Sequence, residues 1–236
     1  MPPSIGPVTH VVFDFDGLLV DTEPCYTEAN SKTLAPFGKP FTMELKAGQM
    51  GRKQHDAIAY LLEKTALTDK ISVLEYEKIY DGYLFELFGK APAKEGAERI
   101  VRHLHKHNIP MAICTGSASN DFPAKAASHR SWVDLIPIHV LTGDDPLVKK
   151  GKPHPDGYIE TMRRFEVPPS SPSSVLIFED APNGIRSGLA AGAQCVHIPT
   201  MDHPAFRMDP DTEKLITVHS SLLNFDPAVF GLPPFD

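Results

Sequence analysis

Two aspartates, Asp14 and Asp16, follow an apolar run and are well placed to do chemistry. Residues 11–13 are Val-Val-Phe, and a β-favouring run that ends at a turn residue such as Gly17 predicts a buried strand. Acidic residues at its end place charge at the carboxyl edge of a sheet, where open α/β sheets bind ligands. Because neighbouring carboxylates repel, we expect a divalent cation such as Mg²⁺ between them. Taken alone, the motif also fits aspartates that only cap a turn.

Two later apolar runs also end on polar residues. The run PMAIC is followed by Thr115 and Gly116, and the run VLIF is followed by Glu179 and Asp180. The carboxyl ends of parallel strands share one edge of a sheet, so these groups should converge with Asp14. Each motif is weak alone, but their order along the chain makes a purely structural explanation improbable.

These carboxylates could support phosphoryl transfer. Mg²⁺ prefers hard oxygen ligands, which Asp14 and Asp180 supply, and Glu179 could hold the waters of the ion. Asp14 could then attack phosphorus and form an aspartyl phosphate. Asp16 could protonate the leaving oxygen and later activate water.

The same edge offers groups that could bind a phosphate. Lys152 precedes a helix predicted to begin near Pro155, so its ammonium could neutralise a phosphate dianion. The Thr115 hydroxyl and the backbone amides around Gly116 could donate hydrogen bonds to phosphoryl oxygens.

The elements around these residues indicate two parts. Residues 22–90 have helical patterns and no predicted strand, whereas strands and helices alternate from Pro92 onward. Alternation of this kind predicts an α/β fold with a Rossmann-like parallel sheet. We therefore predict a catalytic core of residues 1–21 and 91–236 with an inserted all-helical domain. A helix is predicted over residues 118–129, with an uncertain start because of its proline.

Composition narrows the functional classes. The chain has 236 residues, 42% hydrophobic and 22% charged, and a formal net charge of −7. An acidic chain is a poor non-specific partner for nucleic acid. Three cysteines without a CxxC motif fit a reducing compartment, and the sequence predicts neither a signal peptide nor a membrane-spanning run. We expect a cytoplasmic monomer that binds no nucleic acid and no membrane.

Four strings, FDFDG, ICTGS, GKPHPD and FEDAPNG, resemble the four motifs of the haloacid dehalogenase-like hydrolase superfamily. The helical insertion resembles that superfamily's type 1 cap, which closes over the active site and selects the substrate. Members that cleave carbon–halogen bonds lack an aspartate at the position of Asp16. The resemblance therefore implies a phosphatase that uses Mg²⁺.

The resemblance also implies a role for each matching residue. By this resemblance, Asp14 is the nucleophile, and Asp16 is the acid and base. Thr115 and Lys152 bind the phosphoryl group. The metal ligands are Asp14, the backbone carbonyl of Asp16, and Asp180 with Glu179.

Longer strings, among them MGRKQ and VLIFEDAPNGIRSGLAAG, are similar to the pseudouridine-5′-phosphatase branch of the superfamily. That similarity implies a nucleoside or sugar monophosphate as substrate. Phosphatases of sugar phosphates and glycerol phosphate share most of these strings, so the substrate stays open. In the helical insertion, Arg52 could face the substrate or solvent, and Thr22 and Glu23 could form a hinge.

Two other functions remain possible at this point. One is a phosphomutase of the β-phosphoglucomutase type, although such mutases carry a histidine in the first cap helix where this chain has Tyr26. The other is a non-catalytic binding protein on the same fold. The complete set of motif residues argues against the second, since a protein without catalysis has no need of all of them.

Overall fold

A six-stranded parallel sheet forms the centre of the fold. The computed structural model describes residues 6–49, 54–200 and 207–236. The strands lie in the order β3-β2-β1-β4-β5-β6, and every neighbouring pair is parallel. In chain order the strands are β1 (His10–Phe13), β2 (Met111–Thr115), β3 (Ile138–Leu141), β4 (Val175–Glu179), β5 (Gln194–His197) and β6 (Thr217–Val218). The predicted α/β class and Rossmann-like sheet are confirmed.

The described α-helices fall into two compact units. One unit comprises residues 22–91, and the other comprises residues 1–21 and 92–236. The helices of the first are α1 (Glu23–Leu34), α2 (Met43–Gln49), α3 (Gln54–Lys64) and α4 (Val73–Phe88). The helices of the second are α5 (Ala97–Lys106), α6 (Phe122–Ala126), α7 (Arg130–Val133), α8 (Asp156–Arg164), α9 (Pro182–Ala190) and α10 (Pro210–Glu213).

The central strand β1 is buried on both faces, which explains its unbroken apolar sequence. Successive side chains of a strand point to opposite faces. Val12 belongs to the core layer that contains Tyr158 of α8 and Ile185 of α9. Phe13 stacks on Phe178 of β4 with ring centroids 5.2 Å apart. The sheet therefore has an apolar layer on each face.

The strand register brings the three motif-bearing strand ends together. Phe13 of β1 lies opposite Ile113 of β2 and Phe178 of β4. Asp14, the next residue, donates its backbone N–H to the Phe178 carbonyl at 2.9 Å. The strand order runs outward in both directions from β1 and β4, which is the kind of switch point where open α/β sheets bind ligands.

The unit of residues 22–91 has its own apolar core. Helix α4 packs against α1 and α3, and α2 packs against α3. Leu61 of α3 and Tyr76 of α4 are fully buried, and the Tyr76 hydroxyl donates to the Asn30 amide oxygen at 3.0 Å. The described residues of this unit form helices and no regular strand. The predicted insertion of residues 22–90 stays a prediction. Its role as a cap stays a prediction.

Helix α4 begins with the capping box that its sequence S-x-x-E predicts. The Ser72 hydroxyl accepts the Glu75 backbone N–H at 3.2 Å, and the Glu75 carboxylate accepts the Ser72 N–H at 3.0 Å. We expect Ser72→Ala to lower the free energy of unfolding of the helical unit by about 1 kcal/mol. Urea denaturation followed by circular dichroism measures it. Ser31→Ala, at an exposed position inside α1, is the matched control. It should not lower the free energy of unfolding, since alanine is a strong helix former.

One helix differs from its prediction. Residues 118–129 were expected to form a single helix, but α6 covers only Phe122–Ala126, and a 3₁₀ turn follows at Ala127–His129. Pro123 explains the late start, because a proline is tolerated only in the first turn of a helix. Within the described part of the chain, no helix has both the length and the apolar character needed to cross a membrane.

Candidate active site

Lys152 links two of the predicted catalytic side chains. Its ammonium lies 2.6 Å from Asp14 Oδ1 and 2.6 Å from Glu179 Oε1. It also donates to the Cys114 backbone carbonyl at 3.1 Å. The loop before α8 thus brings the Lys152 ammonium to the ends of β1, β2 and β4.

Burial and charge together shift the pKa values of this pair. Burial raises the pKa of Asp14 to about 7, against the opposing charge of Lys152. Burial alone would lower the pKa of Lys152, but the charges of Asp14 and Glu179 outweigh it and hold that pKa well above its ordinary value. Burial therefore disfavours the ionised form of Asp14 even though an ammonium is in contact with it.

Three carboxylates, those of Asp14, Glu179 and Asp180, offer oxygen atoms that all lie within 4.8 Å of one another. All three residues are buried. Asp180 Oδ2 accepts a hydrogen bond from the Thr200 hydroxyl. Gly17 has a φ of 80°, and a Cβ there would overlap the Asp180 carboxylate, so a glycine is required beside this cluster.

Glu179 is held from several sides. The Tyr158 hydroxyl donates to Glu179 Oε1 at 2.6 Å, the same oxygen that Lys152 contacts. The backbone of α9 comes so close that a Cβ on Gly184 would overlap the Glu179 carboxylate. Nothing in the sequence around Tyr158 predicts that its hydroxyl contacts Glu179.

Gly184→Ala therefore tests how tightly Glu179 is held. The added methyl group must displace the carboxylate, and we expect a loss of about 1–3 kcal/mol in the free energy of unfolding, typical of overpacking. Gly82→Ala is the matched control, because Gly82 is an exposed residue of α4 with open space around its Cα. That control should be stabilising, since alanine favours a helix over glycine. A cost at Gly184 no greater than at Gly82 would contradict the assignment.

The Asp16 side chain has its own set of partners. Asp16 Oδ2 accepts from the Thr115 hydroxyl at 3.1 Å and from the Ser117 hydroxyl at 2.7 Å. Asp16 Oδ1 lies 2.8 Å from the ammonium of Lys125. Ser117 and Lys125 were not predicted. The only sequence signal for Lys125 is its spacing of three from Phe122 on one side of a short helix.

The other predicted site residues differ in what the structure says of them. Gly116 follows β2 directly and has open space around its Cα, which leaves its backbone accessible. Glu23 forms an ion pair with Lys46 at 2.9 Å, and Thr22 precedes α1 as a buried residue. Their role as a hinge stays a prediction. Arg52 lies outside the described residues.

Comparison with known proteins identifies the family. Residues 8–192 match the family model of the haloacid dehalogenase-like hydrolases, which is most of the chain. The chain belongs to this family. A solved haloacid dehalogenase family hydrolase from Deinococcus radiodurans, with bound phosphate and sodium, superposes on this hydrolase with a TM-score of 0.75. The match covers 98% of this chain and 100% of that one at 24% identity, and it supports the shared fold alone.

Two curated relatives are similar over nearly the whole hydrolase. "(DL)-glycerol-3-phosphatase 1, mitochondrial" of Arabidopsis thaliana is 41% identical over 98% of this chain and 76% of its own length. A "Probable pseudouridine-5′-phosphatase" of Drosophila melanogaster is 38% identical over 97% of this chain and 96% of its own. The chain is therefore a haloacid dehalogenase-like phosphatase, and the recognition made from its motifs is confirmed.

Proposed function

We propose that this phosphatase hydrolyses a small phosphate monoester with the help of Mg²⁺ and through an aspartyl phosphate on Asp14. The observation that carries the proposal is the contact between the buried Asp14 carboxylate and Lys152, inside a cluster of three carboxylates. A carboxylate attacks a phosphate dianion only if nearby positive charge offsets their repulsion.

The donor set fits Mg²⁺. Its atoms are carboxylate oxygens of Asp14, Glu179 and Asp180, which are the hard ligands that this ion prefers. The resemblance adds the backbone carbonyl of Asp16 as a further ligand. When bound, Mg²⁺ would supply positive charge beside the phosphoryl oxygens. Burial, with smaller contributions from the charges of Glu179 and Asp16, raises the pKa of Asp14, and a bound cation would favour its ionised form.

The residues of the chain would then act in two steps. Asp14 attacks phosphorus, the bond from phosphorus to the ester oxygen breaks, and Asp16 gives its proton to that oxygen. A water molecule next attacks the aspartyl phosphate, Asp16 takes one of its protons, and phosphate leaves with Asp14 restored. The Lys152 ammonium would offset the charge of the phosphoryl group, and the backbone at Gly116 would donate to its oxygens. The Thr115 hydroxyl, which donates to Asp16 Oδ2 in the structure, would turn to the phosphoryl group when substrate binds.

The proposed substrates are small. The relatives are named for glycerol 3-phosphate and pseudouridine 5′-phosphate, so a nucleoside, sugar or glycerol monophosphate is the proposed class. The helical unit, with Arg52, Thr22 and Glu23, would act as the cap that selects among them. We further propose a cytoplasmic monomer that binds no nucleic acid or membrane. Its net charge of −7 and its three cysteines, all of them buried, support this.

Phosphate release from a panel of esters tests the proposal. The panel includes glycerol 3-phosphate, pseudouridine 5′-phosphate, common nucleotides and hexose phosphates, each with Mg²⁺ and with a chelator. We expect release that requires Mg²⁺ and prefers one class of ester. No release from any ester would overturn the proposal. Little release together with isomerisation of a sugar phosphate in the presence of a bisphosphate would identify a phosphomutase instead.

A further inference from the structure

Lys125 is a buried lysine outside the predicted motifs. Lys125 is only 4% exposed, and two neighbours on the same side of α6, Phe122 and Ala126, are buried as well. Lysines are almost never buried unless they are paired. The Lys125 ammonium contacts Asp16 Oδ1 at 2.8 Å and the Ser117 hydroxyl oxygen at 2.7 Å.

The direction of each hydrogen bond follows from the donors available. An ammonium has no acceptor, so Ser117 Oγ must accept from Lys125 and give its single proton to Asp16 Oδ2. Thr115 Oγ1 likewise accepts the Ser117 backbone N–H at 3.1 Å and donates to Asp16 Oδ2. Both oxygens of the Asp16 carboxylate are thus bound, and the plane of the carboxylate is fixed.

We propose that Lys125 and Ser117 are positioning residues that hold the Asp16 carboxylate in the orientation needed for proton transfer. The inference rests on the proposed function, in which Asp16 protonates the ester oxygen in the first step and takes a proton from water in the second. A group that transfers protons must stay within hydrogen-bond reach of the reacting oxygen. A carboxylate bound on one oxygen alone can rotate away from that position.

The two proton transfers differ in their dependence on the substrate. The leaving group of p-nitrophenyl phosphate is stable as an anion and needs no proton, whereas an alkyl phosphate releases a strongly basic oxygen. For the first ester, kcat/KM reports formation of the aspartyl phosphate without help from Asp16. For the alkyl ester, kcat/KM depends on the proton from Asp16. The later attack of water on the aspartyl phosphate needs Asp16 whichever of the two esters formed that intermediate.

Lys125→Met removes the ammonium and keeps a similar volume. With p-nitrophenyl phosphate we expect kcat to fall by roughly 10–100-fold, part of the usual contribution of a proton-transfer group. KM should fall with it, so that kcat/KM changes little, and a burst of p-nitrophenolate should precede the steady state. With the preferred alkyl ester, both kcat and kcat/KM should fall. Equal losses of kcat/KM with both esters, or no loss with either, would overturn the proposal.

Three further variants separate positioning from a general effect on folding. Ser117→Ala removes the donor that remains on Asp16 Oδ2 once the Thr115 hydroxyl has turned to the phosphoryl group, so it should show the same dependence on the leaving group even if Lys125→Met folds poorly. Lys214→Met removes an exposed lysine and should behave as the wild type. In the Asp16→Asn background, Lys125→Met should lower kcat no further, because the carboxylate that Lys125 orients is gone. If the double variant instead lost kcat by the product of the two single losses, Lys125 would not act through Asp16.

The wild-type enzyme distinguishes this inference from the proposed function. If it releases no phosphate from either ester, the proposed function fails first. If it is active and Lys125→Met matches it in every constant, only the role of Lys125 fails.

Discussion

Asp14→Asn is expected to abolish phosphate release, with a loss of at least about 10⁴-fold in kcat, the scale seen when a catalytic nucleophile is removed. The amide of asparagine is a much weaker nucleophile than a carboxylate, whereas its oxygen can still accept the hydrogen bond that Lys152 donates to Asp14 Oδ1 at 2.6 Å. The fold should therefore survive while the first chemical step does not. Phosphate release with the best ester of the panel measures the effect.

Two further substitutions make this result interpretable. Asp14→Ala excludes activity regained by slow deamidation of the asparagine. Asp211→Asn changes an exposed aspartate in the same way and should leave kcat unchanged. Activity that survives in both Asp14 variants would mean that another group attacks phosphorus.

Much of this site could be predicted because its residues follow apolar runs. Asp14, Thr115 and Asp180 each stand at or beyond the end of a strand that is buried along its whole length. A parallel sheet brings such ends to one edge, so a pattern along the chain becomes proximity in space. The contacts of Asp14 with Lys152 follow the same logic, since Lys152 lies in a loop at that edge.

The partners of Asp16 could not be predicted in the same way. Helix α6 has only five residues, too few for periodicity to show which face is buried. A lysine is solvated by default, so Lys125 looks like a surface residue until its ammonium is found beside Asp16. The sequence likewise carries no signal that Tyr158 reaches Glu179 across 21 residues.

The C-terminal segment shows a second kind of limit. Residues 230–236 are rich in proline, and their pattern alone predicts no element. In the structure, Phe225 packs edge-on against Phe178 with ring centroids 4.8 Å apart, and Phe230 stacks on Phe225. Irregular backbone can thus complete a core when a few large side chains reach it.

The charges in the site point to a second large effect. Asp14, Glu179 and Asp180 carry up to three negative charges, and Lys152 contacts two of them. One ammonium and one divalent cation would together balance three carboxylates. In the absence of a cation, burial raises the pKa of Asp14 to about 7, so partial protonation relieves the imbalance.

Lys152→Met should therefore damage both catalysis and stability. We expect kcat to fall by roughly 10²–10³-fold, because positive charge beside the phosphoryl group is lost. Without cation at pH 8, the free energy of unfolding should fall by about 3–5 kcal/mol, since removal of one partner leaves buried carboxylates uncompensated. Urea denaturation in a chelating buffer measures the second effect, and phosphate release measures the first.

The loss of stability should depend on pH in a definite direction. Without Lys152, the pKa of Asp14 in the folded protein rises further above its ordinary value of 3.8, so the folded state of the variant binds protons more tightly than the unfolded chain. Its stability is then greatest at acidic pH and is lost as the pH rises through that raised pKa. The cost of Lys152→Met should be smaller at pH 5.5 than at pH 8. Lys214→Met, at an exposed ion pair, should show no such trend. A cost independent of pH would mean that Lys152 stabilises the site by packing alone, and the charge balance inferred for these carboxylates would be wrong.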